Sequence, residues 1–327
     1  MPHASDEMVS MKVWYGEGGM LKTQHCPIPE PEPGQVRIRV AACGVNRADL
    51  LQVAGHYPPP PGAPEHLGLE VSGVVEHGAG AFQAGDRVMA LLAGGGYAEY
   101  VCVDAGSVLP IPNGMSFAEA AAIPEAFVTA YQCLFEVGQL KTQERVLIHA
   151  GASGVGTAAI QLAKASGAWV AVTCGTEEKA ELCQSLGADE VILYRNQDFT
   201  EVFKGIDLVL DPVGGDYLNR NLKVMATDGR LVQIAMMGGR RTEIDLALLL
   251  AKRLTLRGST LRSQSQPVKT RLVQGFWQRF GNGFAQGRIA PVLDSRYDFE
   301  SAPQAHQRMS GNANSGKLVL ERASESG

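Results

Sequence analysis

The segment Glu144–Gly156, with the sequence ERVLIHAGASGVG, constrains the fold of this 327-residue chain more than any other. Residues 146–148 form an apolar run too short for a helix, which predicts a buried strand. Good helix formers fill Thr157–Ala165, and Gly167 is placed to end that helix. A tight structural turn would explain the glycines alone, but strand, glycine turn and helix together predict a helix N-terminus that binds a dinucleotide pyrophosphate. The predicted binding residues of this turn are Gly151, Ser153, Gly154, Val155 and Gly156, with Ser153 at the middle glycine position of G-x-G-x-x-G.

Composition and charge exclude several classes of protein. The net charge is −5 and there is no basic block, so the chain is not expected to bind nucleic acid. No apolar run reaches membrane-spanning length, and residues 1–8 lack the basic start and apolar middle of a secretory signal. The six cysteines include no C-x-x-C pair, which is typical of reduced thiols rather than a disulfide framework or a zinc knuckle. We therefore expect a cytoplasmic protein without a membrane partner.

The pattern of strands and helices changes once along the chain. Up to about residue 125, short strands are punctuated by Gly and Pro, which predicts a small barrel-like β domain. An alanine-rich helical stretch, 116–135, is interrupted at Pro124, and from residue 145 strands and helices alternate, which predicts a doubly wound parallel sheet. Near the C-terminus, 317–320 is a further strand that we expect to return to the first domain. The strands predicted for the parallel sheet are 146–150, 169–173, 190–193, 208–211, 230–234 and 255–258.

Several segments together carry a resemblance to a known family. They are Asn46–Leu50, Gly55–Pro60, Leu67–Glu70, Leu147–Leu162 and Pro291–Asp294. With them the chain resembles the medium-chain dehydrogenase/reductase superfamily, and within it the zinc-independent quinone oxidoreductase branch, especially the p53-inducible quinone oxidoreductase group. The resemblance implies an α/β protein with a GroES-like, β-barrel-type catalytic domain made from residues 1–128 and 271–327. It also implies a Rossmann domain, a doubly wound parallel sheet over residues 129–270, that binds the cofactor.

The segments that hold zinc in related alcohol dehydrogenases are altered here. A cysteine of their G-V-C-H-T-D segment is a zinc ligand, and Asn46 stands at that position. Leu69 replaces the histidine of their G-H-E segment. Zinc requires Cys, His or carboxylate donors, usually three from the protein at a catalytic site. We therefore expect no metal site, and a hydride acceptor that needs no Lewis acid, such as a quinone or, as the next candidate, a conjugated enal or enone.

The end of the second predicted Rossmann strand indicates the cofactor. NAD-binding versions of the fold carry an acidic residue there, about 20 residues after the glycine turn, which binds the ribose 2′-hydroxyl. Here the tip is Thr173–Thr176, which contains no acid, and Lys179 and Tyr194 follow. By itself Lys179 is equally well explained as a solvated helix residue, but in the family a lysine and a tyrosine at matching positions contact the 2′-phosphate. We therefore predict NADPH, bound in part by Thr173, Gly175, Lys179 and Tyr194.

Asn46 and Tyr57 are the predicted catalytic residues, because the resemblance places their loops facing the nicotinamide. Asn46 either donates a hydrogen bond to the acceptor oxygen or caps its own loop. Tyr57 either stacks on a planar acceptor and donates a proton, or packs against the prolines that follow it. Thr129 and Met237 are predicted to line the nicotinamide side of the pocket. His149, at the end of a predicted strand, is expected to pack beneath the turn rather than to act in catalysis.

These features predict an enzyme, a zinc-independent NADPH:quinone oxidoreductase that transfers hydride from NADPH to a quinone. Two alternatives remain. One is an NADPH-dependent reductase of the double bond of an alkenal, enone or enoyl thioester, and the other is a non-catalytic NADPH-binding regulator. The segment Leu254–Leu261 alternates apolar and polar residues and should form the edge strand of the sheet. An uncovered edge favours pairing, so we expect a homodimer joined at this strand, as in relatives, unless residues 262–269 shield it.

Overall fold

The structure, a computed structural model, describes residues 10–323. Residues 1–8, considered above for a secretory signal, lie outside this range. The strands are β1 (Ser10–Glu17), β2 (Met20–Pro27), β3 (Gln35–Val45), β4 (Glu70–His77), β5 (Arg87–Leu91), β6 (Tyr100–Asp104), β7 (Val108–Pro110), β8 (Arg145–Ile148), β9 (Trp169–Cys174), β10 (Glu190–Leu193), β11 (Ile206–Asp211), β12 (Met225–Gln233), β13 (Thr255–Gly258), β14 (Leu293–Asp298) and β15 (Lys317–Glu321). The α-helices are α1 (Arg47–Val53), α2 (Phe117–Ala120), α3 (Pro124–Tyr131), α4 (Gly154–Ala165), α5 (Glu177–Ser185), α6 (Phe199–Val202), α7 (Tyr217–Val224), α8 (Leu246–Ala251), α9 (Gln266–Ala285) and α10 (Ala302–Ser310).

The chain divides into two compact units, which are described separately. The first unit comprises the residues up to Glu125, Arg262–Trp277 and the residues from Leu293 onward. The second unit comprises Ala126–Leu261 and Gln278–Val292. Compared with the predicted domain boundaries, the structure therefore assigns residues 262–270 to the first unit and residues 126–128 and 278–292 to the second.

The first unit is built on a seven-stranded, mostly antiparallel sheet. Its order is β14-β15-β3-β4-β5-β7, with β6 also paired to β3. In β3, Val36, Ile38 and Val40 are at most 4% exposed, and Arg37 and Arg39 alternate with them, because successive side chains of a strand point to opposite faces. The C-terminal strand β15 pairs with β3, so the chain returns to this unit as predicted. The sheet confirms the predicted β domain.

The second unit contains a six-stranded parallel sheet in the order β10-β9-β8-β11-β12-β13. Counted from β8, this is the 3-2-1-4-5-6 order of a doubly wound Rossmann sheet, as predicted. The predicted strands are all present, and β13 lies at the sheet edge. Aliphatic residues such as Leu147, Ala171, Val209 and Leu231 form the core, because a sheet covered by helices on both faces is apolar on both.

The structure also contains elements that the sequence pattern did not predict. They include β2, which pairs with β1, and two helices in the C-terminal third, α9 and α10. Pro124 is the first residue of α3, where its fixed φ angle and missing amide are tolerated, and so it separates α3 from α2. No helix within residues 10–323 is both long and apolar enough to cross a lipid bilayer.

Candidate active site

The glycine-rich turn of the second unit joins β8 to α4. Ala150 has a φ of 52°, a left-handed conformation that is uncommon for a residue with a Cβ. The Gly151 amide donates to the Thr173 carbonyl (3.0 Å), and Ser153 caps α4 by accepting a hydrogen bond from the Gly156 amide (3.0 Å). A Cβ on Gly156 would lie 2.4 Å from the Ala150 carbonyl oxygen, so only glycine fits there. The tight turn leaves the first amides of α4 without intrahelical acceptors, which fits a pyrophosphate.

A buried hydrogen-bond network lies beneath this turn. His149 is 1% exposed, and its ring nitrogens hydrogen bond with Thr173 Oγ1 (2.8 Å) and Asn221 Oδ1 (2.7 Å). Asn221 in turn donates to the Asp211 carboxylate (3.0 Å). Burial lowers the pKa of His149. The histidine therefore packs under the turn as predicted, and the Thr173 hydroxyl, predicted to bind cofactor, is used to hold His149 in place.

The residues predicted to bind the 2′-phosphate lie around the end of β9. A Cβ on Gly175 would lie 2.8 Å from the Tyr194 hydroxyl oxygen, so these two residues are neighbours. Tyr194 is 44% exposed. Thr176 caps α5 by accepting a hydrogen bond from the Lys179 amide (3.3 Å), which places Lys179 in the first turn of that helix. The end of β9 carries no acidic residue, but the first turn of α5 also contains Glu177 and Glu178.

The other predicted cofactor residues are less closely connected. Met237 is 53% exposed, and its amide donates to the Pro212 carbonyl (3.1 Å) just after β11. Because the carboxyl ends of parallel strands share one edge of a sheet, Met237 lies at the same edge as the glycine turn. Ser153, Gly154 and Val155 are partly exposed there. Thr129 is a half-buried residue of α3.

Three polar side chains of the first unit form a closed network. Glu70 Oε1 accepts hydrogen bonds from Lys317 Nζ (2.5 Å) and Asn46 Nδ2 (2.9 Å). Lys317 Nζ also donates to Asn46 Oδ1 (2.6 Å) and to the Val45 carbonyl (3.1 Å). The side chains of Glu70 and Lys317 are only 0% and 5% exposed. A Cβ on Gly44 would lie 2.2 Å from Glu70 Oε1, so a glycine is needed to make room for the buried carboxylate.

A second buried carboxyl group lies at the start of α1. Asp49 is 1% exposed and accepts hydrogen bonds from the Asn46 amide (2.8 Å), the Tyr97 hydroxyl (3.1 Å) and the Gly68 amide (3.3 Å). Burial nevertheless raises the pKa of Asp49 to about 6. The Tyr97 hydroxyl also bonds His306 Nε2 (3.1 Å), whose pKa is lowered by burial to about 4. Asn46 is thus the N-cap of α1 through its backbone, while its side chain is free to join the network described above.

Tyr57 lies against Arg262, which the sequence alone does not single out. The guanidinium carbon of Arg262 is 5.2 Å from the centre of the Tyr57 ring. Arg262 also donates to the Tyr57 carbonyl (3.2 Å), to the Ala93 carbonyl (2.8 Å) and to Gln52 Oε1 (2.7 Å). Burial raises the pKa of the Tyr57 phenol, and the nearby Glu125 carboxylate adds to this effect. The aromatic ring is therefore fixed by a cation–π contact.

Glu125 is a further carboxyl group of the first unit that the sequence did not reveal. It is half-buried in the first turn of α3, and its amide donates to Glu70 Oε2 (2.9 Å). Its own carboxyl group has no hydrogen-bond partner among the residues that the structure describes. Burial, and after it the negative charge of Glu70, raises the pKa of Glu125 to about 8.

The donors present do not fit a zinc ion. The Asn46 amide is engaged by Lys317 and Glu70, and Leu69 is a buried aliphatic residue without a donor atom. Cys43, which lies nearby in the sequence, is part of the hydrophobic core. Across residues 10–323, no group of three or more His, Cys, Asp or Glu side chains could hold a metal. Catalysis without zinc stays a prediction, and it rests on the chemistry of these donors.

Comparison with known proteins identifies the family. Residues 32–113 match the alcohol dehydrogenase GroES-like domain, and residues 154–276 match the zinc-binding dehydrogenase family. The quinone oxidoreductase of Mus musculus is 31% identical over 320 residues, covering 94% of this chain and 95% of the relative. Among solved structures, the quinone oxidoreductase from Thermus thermophilus, determined alone and with NADPH, aligns with a TM-score of 0.81 at 34% identity, covering 95% of this chain and 99% of that one. The CurK enoyl reductase aligns with a TM-score of 0.83 at 27% identity, covering 95% and 99%.

A GroES-like unit together with a Rossmann unit and these matches defines an oxidoreductase with a nicotinamide-dinucleotide-binding domain. The chain belongs to the medium-chain dehydrogenase/reductase superfamily, in its quinone oxidoreductase-like branch. The predicted resemblance is confirmed. The name of the second matching family refers to zinc, but the residues that stand at the ligand positions here are Asn46 and Leu69.

Proposed function

We propose that this protein is an NADPH-dependent quinone reductase that transfers hydride without zinc. The observation that carries the proposal is that Asn46, at one of the two zinc-ligand positions, is engaged by Lys317 and Glu70, while the other position holds the buried aliphatic Leu69. A quinone needs no Lewis acid, because reduction produces an aromatic ring. The similarity to the quinone oxidoreductases of Mus musculus and Thermus thermophilus supports the same acceptor class.

NADPH, when bound, supplies the hydride, and the protein supplies orientation and exclusion of water. Gly151, Ser153, Gly154, Val155 and Gly156 would hold the pyrophosphate. Gly175, Lys179 and Tyr194 would hold the 2′-phosphate, because the strand tip carries no acid that would repel it. The related quinone oxidoreductase of Thermus thermophilus, whose structure was also determined with NADPH, supports this cofactor.

Asn46 would orient the acceptor. Its Nδ2 atom has two hydrogens, of which one is donated to Glu70, so the second remains for an acceptor oxygen as negative charge develops there. Lys317 accounts for the Asn46 carbonyl oxygen, which fixes the orientation of the amide. Tyr57, held by Arg262, offers a planar surface on which a flat acceptor stacks.

A reductase of conjugated enals or enones is the second candidate. It is favoured by Glu125, a carboxyl group available to protonate carbon, and by the similarity to an enoyl reductase. The third candidate, a non-catalytic regulator, would bind NADPH without turnover.

The test is a steady-state assay of purified protein with NADPH or NADH against a panel of quinones, enals and enones, together with elemental analysis. We expect higher kcat/KM with NADPH and quinones, and activity that survives chelators. A stoichiometric zinc ion whose removal abolishes activity and whose return restores it would contradict the zinc-independent mechanism. Preference for enones would favour the second candidate, and NADPH binding without any turnover would favour the third.

A further inference from the structure

Two glutamates of the first unit are neighbours, but their surroundings differ. Glu70 is fully buried and is compensated on both oxygens, by Lys317 and Asn46 on Oε1 and by the Glu125 amide on Oε2. Glu125 is half-buried and accepts no hydrogen bond on its carboxyl group from the described part of the chain. Two carboxyl groups whose environments favour opposite protonation states are a recurring arrangement for acid–base work.

We propose that Glu125 is the proton donor of this site, and that Glu70, ion-paired with Lys317, is the fixed negative charge beside it. The proposal rests on the proposed reductase function. Hydride transfer from NADPH leaves the acceptor with two more electrons and one negative charge, as a hydroquinone monoanion or as an enolate. The Glu125 O–H bond then breaks, its proton forms an O–H or C–H bond on the acceptor, and the resulting carboxylate regains a proton from water.

The basic groups near Glu125 do not offset the rise in its pKa that burial and the acidic groups cause. In decreasing order of influence after burial, the groups that act on it are Glu70, Lys317, Asp49 and Arg262. The two acidic groups raise its pKa and the two basic groups lower it, with a net value of about 8. Glu125 in turn acts on Lys269, whose pKa is lowered mainly by burial. A carboxyl group with a pKa near the working pH is half-protonated there, which suits a residue that must both release and regain a proton.

Glu125 and Asn46, the residue proposed to orient the acceptor, bind the same carboxylate. The Glu125 amide donates to Glu70 Oε2 (2.9 Å), and Asn46 Nδ2 donates to Glu70 Oε1 (2.9 Å). The Tyr57 phenol is a poorer donor than Glu125, because burial and Glu125 both raise its pKa above the ordinary value. Of the two groups, Glu125 is therefore the stronger acid.

The test compares Glu125→Gln, which keeps the shape and removes the acid, with Glu125→Asp, which keeps an acid. Glu65→Gln, a change of an exposed glutamate in the same unit, is the matched control. Infrared difference spectra of the cofactor-free protein should show a carboxylic-acid band that fades as the pH rises through about 8. This band should be absent in Glu125→Gln and present in Glu65→Gln, and it is distinct from the acid band of Asp49, which should fade at about pH 6 in every variant. Near-ultraviolet circular dichroism checks that each variant is folded.

Turnover provides the second readout. With an enone, Glu125→Gln should lose about 10²–10⁴-fold in kcat, as expected for removal of a general acid, and Glu125→Asp should recover part of the loss. Wild-type kcat should fall as the pH rises through about 8, because the acid form is lost, and Glu125→Gln should lack this dependence. An unchanged kcat in Glu125→Gln, or no acid band that fades at about pH 8 in the wild type, would overturn the assignment while leaving the reductase function intact. Failure of the wild type to reduce any acceptor, whatever the spectrum, would overturn both.

Discussion

The buried ion pair between Lys317 and Glu70 allows the sharpest test of the forces that hold the site together. Lys317→Met removes the ammonium group but keeps most of the aliphatic length. In the native site, that ammonium donates to Glu70, Asn46 and the Val45 carbonyl, and its side chain is only 5% exposed. Its loss leaves the carboxylate of Glu70 buried, with only the Asn46 amide and the Glu125 backbone amide as donors.

The expected loss in the free energy of unfolding follows from the burial of this ion pair. Removing one partner of a buried ion pair typically destabilises a protein by about 3–5 kcal/mol, because the remaining charge is uncompensated. Glu70→Gln should destabilise the protein by a similar amount, since it leaves the buried ammonium group of Lys317 without its carboxylate partner. The double variant removes both charges, so its loss should be smaller than the sum of the single losses, with a coupling free energy of about 2 kcal/mol or more. Lys12→Met is the control, because its 2.6 Å pair with Glu300 is exposed and should contribute about 0–1 kcal/mol.

Urea unfolding at pH 7, followed by circular dichroism, measures these free energies. The slope of the unfolding free energy with urea should be the same for all variants, since it reports the surface exposed on unfolding. Single losses below about 1 kcal/mol, or losses that simply add in the double variant, would refute the reasoning. Either result would mean that the charge of Lys317 does not compensate Glu70.

Three further predictions concern the cofactor, the acceptor and the assembly. Lys179→Ala should weaken NADPH binding by about 1.5–3 kcal/mol, or roughly ten- to a hundredfold, and leave NADH binding almost unchanged. Fluorescence titration measures both affinities, with Lys204→Ala as the control, and equal losses for the two cofactors would refute the prediction. Tyr57→Phe keeps the ring on Arg262 and should barely change quinone turnover in a steady-state assay, because a hydroquinone oxygen can take its proton from Glu125 or from water rather than from the phenol; a loss of about 10²–10⁴-fold would make the Tyr57 phenol the general acid. Gly258→Pro should give a folded monomer by sedimentation, whereas Gly258→Ala, whose Cβ meets no atom within 4 Å, should sediment as the dimer; a monomeric wild type would refute edge pairing.

The proline test depends on which amides of β13 point away from the sheet. The Ser259 amide donates to the Gln233 carbonyl of β12 (2.9 Å), so it faces inward. Amides alternate along a strand, which turns those of Leu256 and Gly258 outward. Proline at 258 therefore removes a donor that is available to a second copy without breaking the pairing with β12.

The Rossmann unit was predictable because its signals are local. Each strand is a short apolar run, each helix follows within a few residues, and the turn at Gly151–Gly156 has its own composition. The helix α9 was missed for the opposite reason. Its segment, QPVKTRLVQGFWQRFGNGFA, contains three glycines and a proline, so local propensity argues against a helix, and only packing in the folded chain overrides this.

The polar site of the first unit could not be predicted from the sequence, because its hydrogen bonds join residues that are far apart along the chain. Asn46 could be singled out from its position in a motif, but its partners Glu70 and Lys317 lie 24 and 271 residues away along the chain. From the sequence alone, Lys317 is predicted only as the first residue of an ordinary strand. It becomes significant only because β15 pairs antiparallel with β3, in a register that places Leu318 opposite Val45 and so brings Lys317 beside Asn46.

That register also explains how this site keeps a buried carboxylate. Glu70 is the first residue of β4, and its side chain is 0% exposed. This burial is tolerated because Lys317 of β15 donates to one carboxylate oxygen and the backbone amide of Glu125 in α3 donates to the other. Within residues 10–323 no donor reaches the Glu125 carboxyl group, so burial and, after it, the negative charge of Glu70 raise its pKa. If this reasoning holds, neutralising Glu70 should lower the pKa of Glu125. The acid band of Glu70→Gln should then fade at a lower pH than that of the wild type, and an unshifted band would show that burial alone sets the protonation of Glu125.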